Sequence, residues 1–389
     1  MLVSGTQPPP RRVSLLRLLS PALEPLSLNE VIAILDVIPI STMGPPLRYH
    51  AMVFLSRALP SSISEQDVLS LLLALPAASR PDALHFVLRN LPAATTLMIS
   101  ATYFYHILKA LAPERRLVGI EVMKDRLQPF TFTFEQFVPF VKFIPPPQRV
   151  GMLNAIPEHI PQLASGEIVL SVLAQIPDTM SKIAAFMALS QRLSPSLRWD
   201  DVPQLLREFS VPDRLLAVAR LSQVITAPPT PDQVAGVIAT FPDSSTGAEF
   251  SAKALSAMAQ RLKGSSLTPD ELVTFITLIP AKNRSVVVPA FVSHLRALSA
   301  EDLIPVLGYF PENYNHRMDA LTGLRVRLAP LSADDLVRLI ECFESKGGQL
   351  ACLEALINHV DELEEDIVLA AFSTQDRKKA QEILKRRGR

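Results

Sequence analysis

The stretch "LSAEDLIPVLGYFPE", residues 298–312, is echoed thirty-three residues later by "LSADDLVRLIECFES", residues 331–345. Each copy opens on a hydroxyl, places an acid three residues on, and then runs through apolar residues at helical spacing. With the residue after the acid taken as an anchor (Leu303, Leu336), the same phrase recurs at Val31, Val68, Phe104, Phe137, Val169, Val202, Val234 and Leu272, at intervals of 31 to 38 residues. At the anchor and three, four and seven positions beyond it every copy is apolar, as in Phe137, Phe140, Val141 and Ile144. That spacing puts four side chains on one face of an α-helix. The position just after the anchor is mostly apolar too, so the stripe is wide enough to be wedged between neighbours on two sides.

Start and stop signals bracket each stripe. Four residues before the anchor stands Ser27, Ser64, Ser100, Thr133, Ser165, Thr230, Thr268, Ser299 or Ser332, and only the sixth copy departs, with Arg198. A hydroxyl there can accept from the unpaired amides of the first turn. Three residues after the cap, Glu30, Gln136, Gln233 and Glu271 fit a capping box, while Asp67, Asp201, Asp302 and Asp335 suit the helix dipole. Beyond the last apolar position Pro39, Pro76, Pro145, Pro177, Pro242, Pro280 or Pro311 stops the helix. A second apolar helix follows, for example Leu84, Val87, Leu88 and Leu91.

A lone helix pair has too little core to be stable, whereas stacked pairs bury one another's faces. The pattern therefore predicts an all-α fold, an α-solenoid of about ten tandem helix-turn-helix repeats over residues 26–362. Residues 1–12 are expected to be a disordered tail, 13–25 an N-terminal cap helix, and 363–389 a truncated last repeat with a basic cap. Pro139, Pro203 and Pro305 lie within first helices, which should bend or start late there. The seventh copy is long, so a change of stacking is expected near 243–266.

Lys and Arg together equal Asp and Glu at 38 each, so no net field draws the chain to nucleic acid or an anionic membrane. No apolar run approaches the ~20 residues of a membrane span, and no membrane partner is expected. Two cysteines, Cys342 and Cys352, read as buried thiols in a reducing compartment. Arg11, Arg12 and Arg17 precede any acid and permit a mitochondrial presequence, but the prolines at 8–10 spoil the amphipathic helix it needs. The expected location is cytoplasmic, with a mitochondrial one as the second reading.

Residues 298–385, "LSAEDLIPVLGYFP" through "LSADDLVRLIECFES" to "LEEDIVLAAFSTQDRKKAQEILK", resemble the conserved domain of unknown function 4476. That resemblance implies short helical units with acidic-capped helices ending in Phe, and it implies no activity and no functional residues.

Chemistry is not signalled. The seven histidines are scattered without metal-ligand spacing. "LKGSS" at 262–266 lacks the strand and preceding glycine of a phosphate loop, and no nucleophile elbow occurs. No metal, no cofactor and no catalysis are expected, and the acidic pairs are explained by capping because they recur at helix starts. Basic residues recur near the start of the second helix, at Arg80, Arg115, Arg116, Arg149, Lys182, Arg214, Arg284 and Arg317. They could track a phosphate backbone, or pair with the next repeat's acidic cap, the reading preferred here. The expected function is a non-enzymatic scaffold or adaptor that holds other proteins; an organellar RNA-binding repeat protein is the alternative. Candidate contacts are the surface positions two and five beyond the anchor, among them Asp36, His106, Lys109, Lys142, Arg207 and Arg338. The basic terminus adds Arg377, Lys378, Lys379 and Arg386.

Overall fold

A computed structural model describes residues 8–40, 46–60, 63–90, 97–242, 244–262, 266–311 and 314–386. The first seven residues, most of "LKGSS", and the terminal Arg387 and Arg389 lie outside the described residues. The chain forms two compact units, Met1–Gln162 with Ser171–Arg192, and Leu163–Leu170 with Leu193–Arg389. The division falls well before 243–266, where a change of stacking was expected.

Unit one holds first-layer helices α2 (Leu28–Val37), α4 (Glu65–Leu73), α6 (Ala101–Ala110) and α8 (Phe134–Phe143). Its second layer is α1 (Pro9–Leu19), α3 (Leu47–Leu55), α5 (Arg80–Asn90), α7 (Arg116–Met123), α9 (Arg149–Ala155) and α11 (Thr179–Leu189). The division between the units passes within α10 (Gly166–Leu173). In unit two the first layer is α12 (Val202–Leu206), α14 (Pro231–Ile238), α16 (Pro269–Thr277), α18 (Ala300–Gly308), α20 (Ala333–Glu341) and α22 (Glu365–Ala370). Its second layer is α13 (Val211–Val224), α15 (Ser245–Ala259), α17 (Arg284–Val292), α19 (Tyr314–Leu324), α21 (Lys346–Leu356) and α23 (Arg377–Leu384).

Each second-layer helix packs on the next of its layer in the same unit, and in unit two each first-layer helix does so as well. Each unit is thus an all-α, two-layer helical-repeat solenoid, and no strand forms among the described residues. The long helix α15, over the stretch where a change of stacking was expected, packs on both α13 and α17.

The sequence stripe is the core. Of its forty residues only Ile34 is not buried. The residue seven beyond the anchor lies past the helix end in each copy, yet Ile38, Ile144 and Ile279 are 0–1% exposed. Each buried aliphatic or aromatic side chain of this kind contributes about 1.5–3 kcal/mol.

Capping boxes close at Ser27/Glu30, Ser64/Asp67, Thr133/Gln136, Thr230/Gln233, Thr268/Glu271, Ser299/Asp302 and Ser332/Asp335. Asp therefore completes the box as well as Glu does. The box bonds hold the Glu30 carboxyl below its ordinary range, the Ser27 hydroxyl contributing most. Two repeats without an acid at that position borrow one from a neighbour. Glu65 accepts from the Ser100 amide at 2.7 Å and its hydroxyl at 3.0 Å, and Asp201 accepts from the Gly166 amide at 3.1 Å.

The N-terminal helix begins at Pro9 rather than at 13, because prolines at the first helical positions lack only amides that have no intrahelical partner. The helix with Pro203 starts late, preceded by a 3-10 turn at Trp199–Asp201. Helices α8 and α18 run on through Pro139 and Pro305. The stop prolines have a second role: Pro76, Pro145 and Pro280 each cap a 3-10 turn that leads into the second helix.

What joins repeat to repeat is a ladder of arginines. Arg48, Arg80, Arg149, Arg214 and Arg284 each donate Nε to the carbonyl seven beyond their own repeat's anchor, at Ile38, Leu75, Ile144, Phe209 and Ile279. A terminal nitrogen of each reaches the carbonyl six beyond the next anchor, at Ala74, Ala110, Gln175, Thr240 and Tyr309. Arg116 and Arg317 reach the next repeat in the same way, at Phe143 and Cys342, and Arg12 supplies the first rung, to Val37 at 2.6 Å. The preferred sequence reading of these arginines is therefore corrected. Rather than pair with acidic caps, they close the C-terminal ends of two successive first-layer helices, where unpaired carbonyls and the negative dipole end favour a cation. The planar guanidinium suits this because its fork reaches two acceptors at once.

Candidate functional site

The residue just after the anchor is half-buried in every first-layer helix except α6, where Tyr105 is 40% exposed. Tyr105 lies over the next repeat rather than inside its own. Its ring centroid is 4.9 Å from that of Phe143, and the Arg116 guanidinium stands 3.6 Å from the other ring's centre. Burial lowers the Arg116 pKa against the upward pull of Tyr105 and Glu114. Beneath them Phe140 packs on Phe104 (5.7 Å) and stacks on Phe132 (4.8 Å), which holds α6 and α8 together. Between the two helices is a cavity of about 280 Å³, lined by Ala101, Thr102, Tyr105, Phe132, Gln136, Pro139 and Phe140.

Three of the sequence candidates gather on these two helices. His106 is exposed on α6, with its ring 6.1 Å from Tyr103 and 6.5 Å from Tyr105. Lys109 and Lys142 occupy the same exposed register position on α6 and α8. The arrangement is an apolar, aromatic groove between two helices that each carry an exposed lysine, able to take an apolar side chain. Sequence reading missed Tyr105 itself, whose only signal was an aromatic phenol where most repeats have an aliphatic residue.

The remaining candidates are placed elsewhere. Asp36 accepts from Arg48 at 3.1 Å and so belongs to a rung of the ladder. Arg377 donates to the Phe372 carbonyl at 3.2 Å, which makes it a rung too. Arg338 bridges Glu301 at 3.6 Å and Asp335 at 3.8 Å, and Arg386 faces Glu354 at 4.0 Å. Such exposed pairs contribute about 0–1 kcal/mol. Arg207, Lys378 and Lys379 are exposed in unit two.

Among the described residues no group of three or more His, Cys, Asp or Glu could hold a metal ion. Cys352 is buried and Cys342 partly so, and desolvation pushes both thiols up. Among the described residues no single helix is long and apolar enough to cross a membrane. One bent pair, Pro269–Thr277 with Ala281–Val292, passes on length and composition, but it turns by 117° and buries Leu272, Phe275, Ile276, Val287, Val288 and Phe291. No family model matches the chain, and no curated protein matches it.

Proposed function

We propose that this chain is a non-enzymatic helical-repeat scaffold or adaptor that binds other proteins through the outward face of its first-layer helices, with the α6–α8 groove as a principal contact. The observation that carries the reading is the direction of the recurring arginines. Turned onto helix-end carbonyls, they are withdrawn from the surface where a nucleic acid backbone would need them. What the groove offers instead is aromatic surface on helices that carry exposed lysines, the composition of a protein contact. No cofactor enters this reading. Kinship with the domain of unknown function 4476 over residues 298–385 belongs to the same proposal and adds a fold without an activity. We place the protein in the cytoplasm.

The test is affinity capture from the native cell with the wild-type chain and with Tyr105→Ala/Lys142→Glu, each with and without nuclease. The scaffold reading expects a defined protein partner that survives nuclease and is lost with the double variant. Capture that collapses on nuclease treatment would move the assignment to the organellar RNA-binding alternative.

A further inference from the structure

The arginine ladder is interrupted: the fifth, seventh and tenth repeats have Ser181, Thr246 and Gly348 at the rung position, and the seventh leaves an open step within unit two. In the seventh repeat the position that holds Arg80, Arg149, Arg214 and Arg284 in other copies is Thr246, which is exposed. Local geometry explains the change. Here the second helix has no 3-10 lead-in: Ser244 caps it directly, accepting from the Gly247 amide at 3.1 Å. The backbone passes so close that a Cβ on Gly247 would lie 1.9 Å from the Pro242 carbonyl oxygen. The two carbonyls that a rung would join, at Phe241 and Leu278, accept no hydrogen bond among the described residues.

Among the described residues no other side chain fills the gap. Between the ends of α14 and α16 lies a cavity of about 570 Å³, within the range of about 300–1,000 Å³ typical of ligand sites. It is walled by Ile238, Phe241, Leu278 and Ile279, and Ser251 lines it. Ser251 is only 5% exposed, and its hydroxyl makes no hydrogen bond among the described residues. The tenth repeat shows that a gap alone need not leave a hole. It has Gly348 in place of the arginine, yet Gln349 Nε2 donates to the Phe343 carbonyl at 3.0 Å.

We propose that this cavity is a binding site for the guanidinium group of an arginine side chain presented by a partner protein. The partner's arginine completes the rung that the chain omits, donating to Phe241 and Leu278 and meeting Ser251. Three observations point to that ligand. The same pair of carbonyls is bridged by an internal guanidinium at five other steps. The ends of two helices place partial negative charge at the mouth. Apolar walls suit an arginine's aliphatic stem. Arg284 at the rim is no obstacle, because internal rungs also end beside an arginine of the following repeat: Arg48 donates to the Ala74 carbonyl and Arg80 to the adjacent Leu75 carbonyl, and Arg284 and Arg317 share Tyr309 and Phe310 in the same way. An ammonium is a point donor and fits the pair less well than a planar fork.

The proposal sharpens the scaffold reading by naming what a partner offers here. Its test uses a small probe, so a failed titration and a failed partner capture are separate results. N-acetyl-arginine amide is titrated into the isotope-labelled full chain, with N-acetyl-lysine amide as the comparison, and backbone amide resonances are followed. Saturable shifts are expected around Phe241, Ala248, Leu278 and Ile279, with the arginine probe binding about tenfold more tightly, the equivalent of one additional hydrogen bond. Thr246→Arg, which restores the internal rung, should abolish these shifts, while Thr246→Ala keeps them. Absence of saturation, equal response to both probes, or shifts that persist in a folded Thr246→Arg chain would each overturn the proposal. The comparison of the two probes on the unaltered chain decides the matter even if Thr246→Arg does not fold.

Discussion

Two neighbouring steps of unit two differ in whether a guanidinium spans the two helix ends. Between α16 and α18, Arg284 joins Ile279 (3.0 Å) to Tyr309 (2.5 Å). Between α14 and α16 no such residue exists, and a cavity opens. Both steps have the same apolar stripe and the same capping box, so core and caps are not enough to close the joint. Stripe and cap build each helix; the guanidinium ties one helix end to the next. A solenoid depends on such nearest-neighbour terms because every repeat touches only its neighbours.

The largest expected effect of breaking this contrast comes from Arg284→Ala. It strands two carbonyls at a half-buried joint and should destabilise unit two by about 2–4 kcal/mol, since hydrogen bonds to charged groups contribute about 1.5–3 kcal/mol each. Urea unfolding read by Trp199 fluorescence measures this, because the single tryptophan is buried in unit two with its indole bonded to the Ala227 carbonyl. Arg377→Ala is the internal control. That rung is exposed and holds a single carbonyl, so the loss should stay below about 1 kcal/mol.

Much of this molecule was legible from local pattern. The stripe and its caps operate within twelve residues, so spacing alone located ten first-layer helices and their buried faces. The arginines were also visible as a recurrence, but their role was not. Their acceptors are backbone carbonyls some 25 to 30 residues away, and a carbonyl has no sequence signature. The borrowed acids Glu65 and Asp201 were hidden for a related reason: each serves an amide 35 residues away. Tyr105 was unremarked because its position reads as apolar, and only the packing of α6 on α8 turned the ring outward.

The opposite change, Thr246→Arg, sharpens the contrast. Supplying a rung where none exists should stabilise unit two by about 1 kcal/mol, raising its midpoint in the same urea measurement. Capping gives a smaller, pH-dependent effect. Bonds from the Ser299 amide first, then the Ser299 hydroxyl and Arg296, depress the Asp302 carboxyl below its ordinary 3.8. A depressed folded value means that the stabilisation is fully present above the unfolded value and is lost as pH falls through the folded one. Asp302→Asn should therefore cost up to about 1 kcal/mol at neutral pH and flatten the loss of stability below pH 3.8.

The central claim is that the recurring arginines are two-ended staples rather than surface charges, and Arg284→Lys tests it most directly. Lysine keeps the charge but cannot span two carbonyls with a rigid fork. Urea unfolding monitored at Trp199 should place Arg284→Lys close to Arg284→Ala, with most of the stability lost. A lysine variant as stable as the wild type would show that charge alone suffices and would contradict the staple.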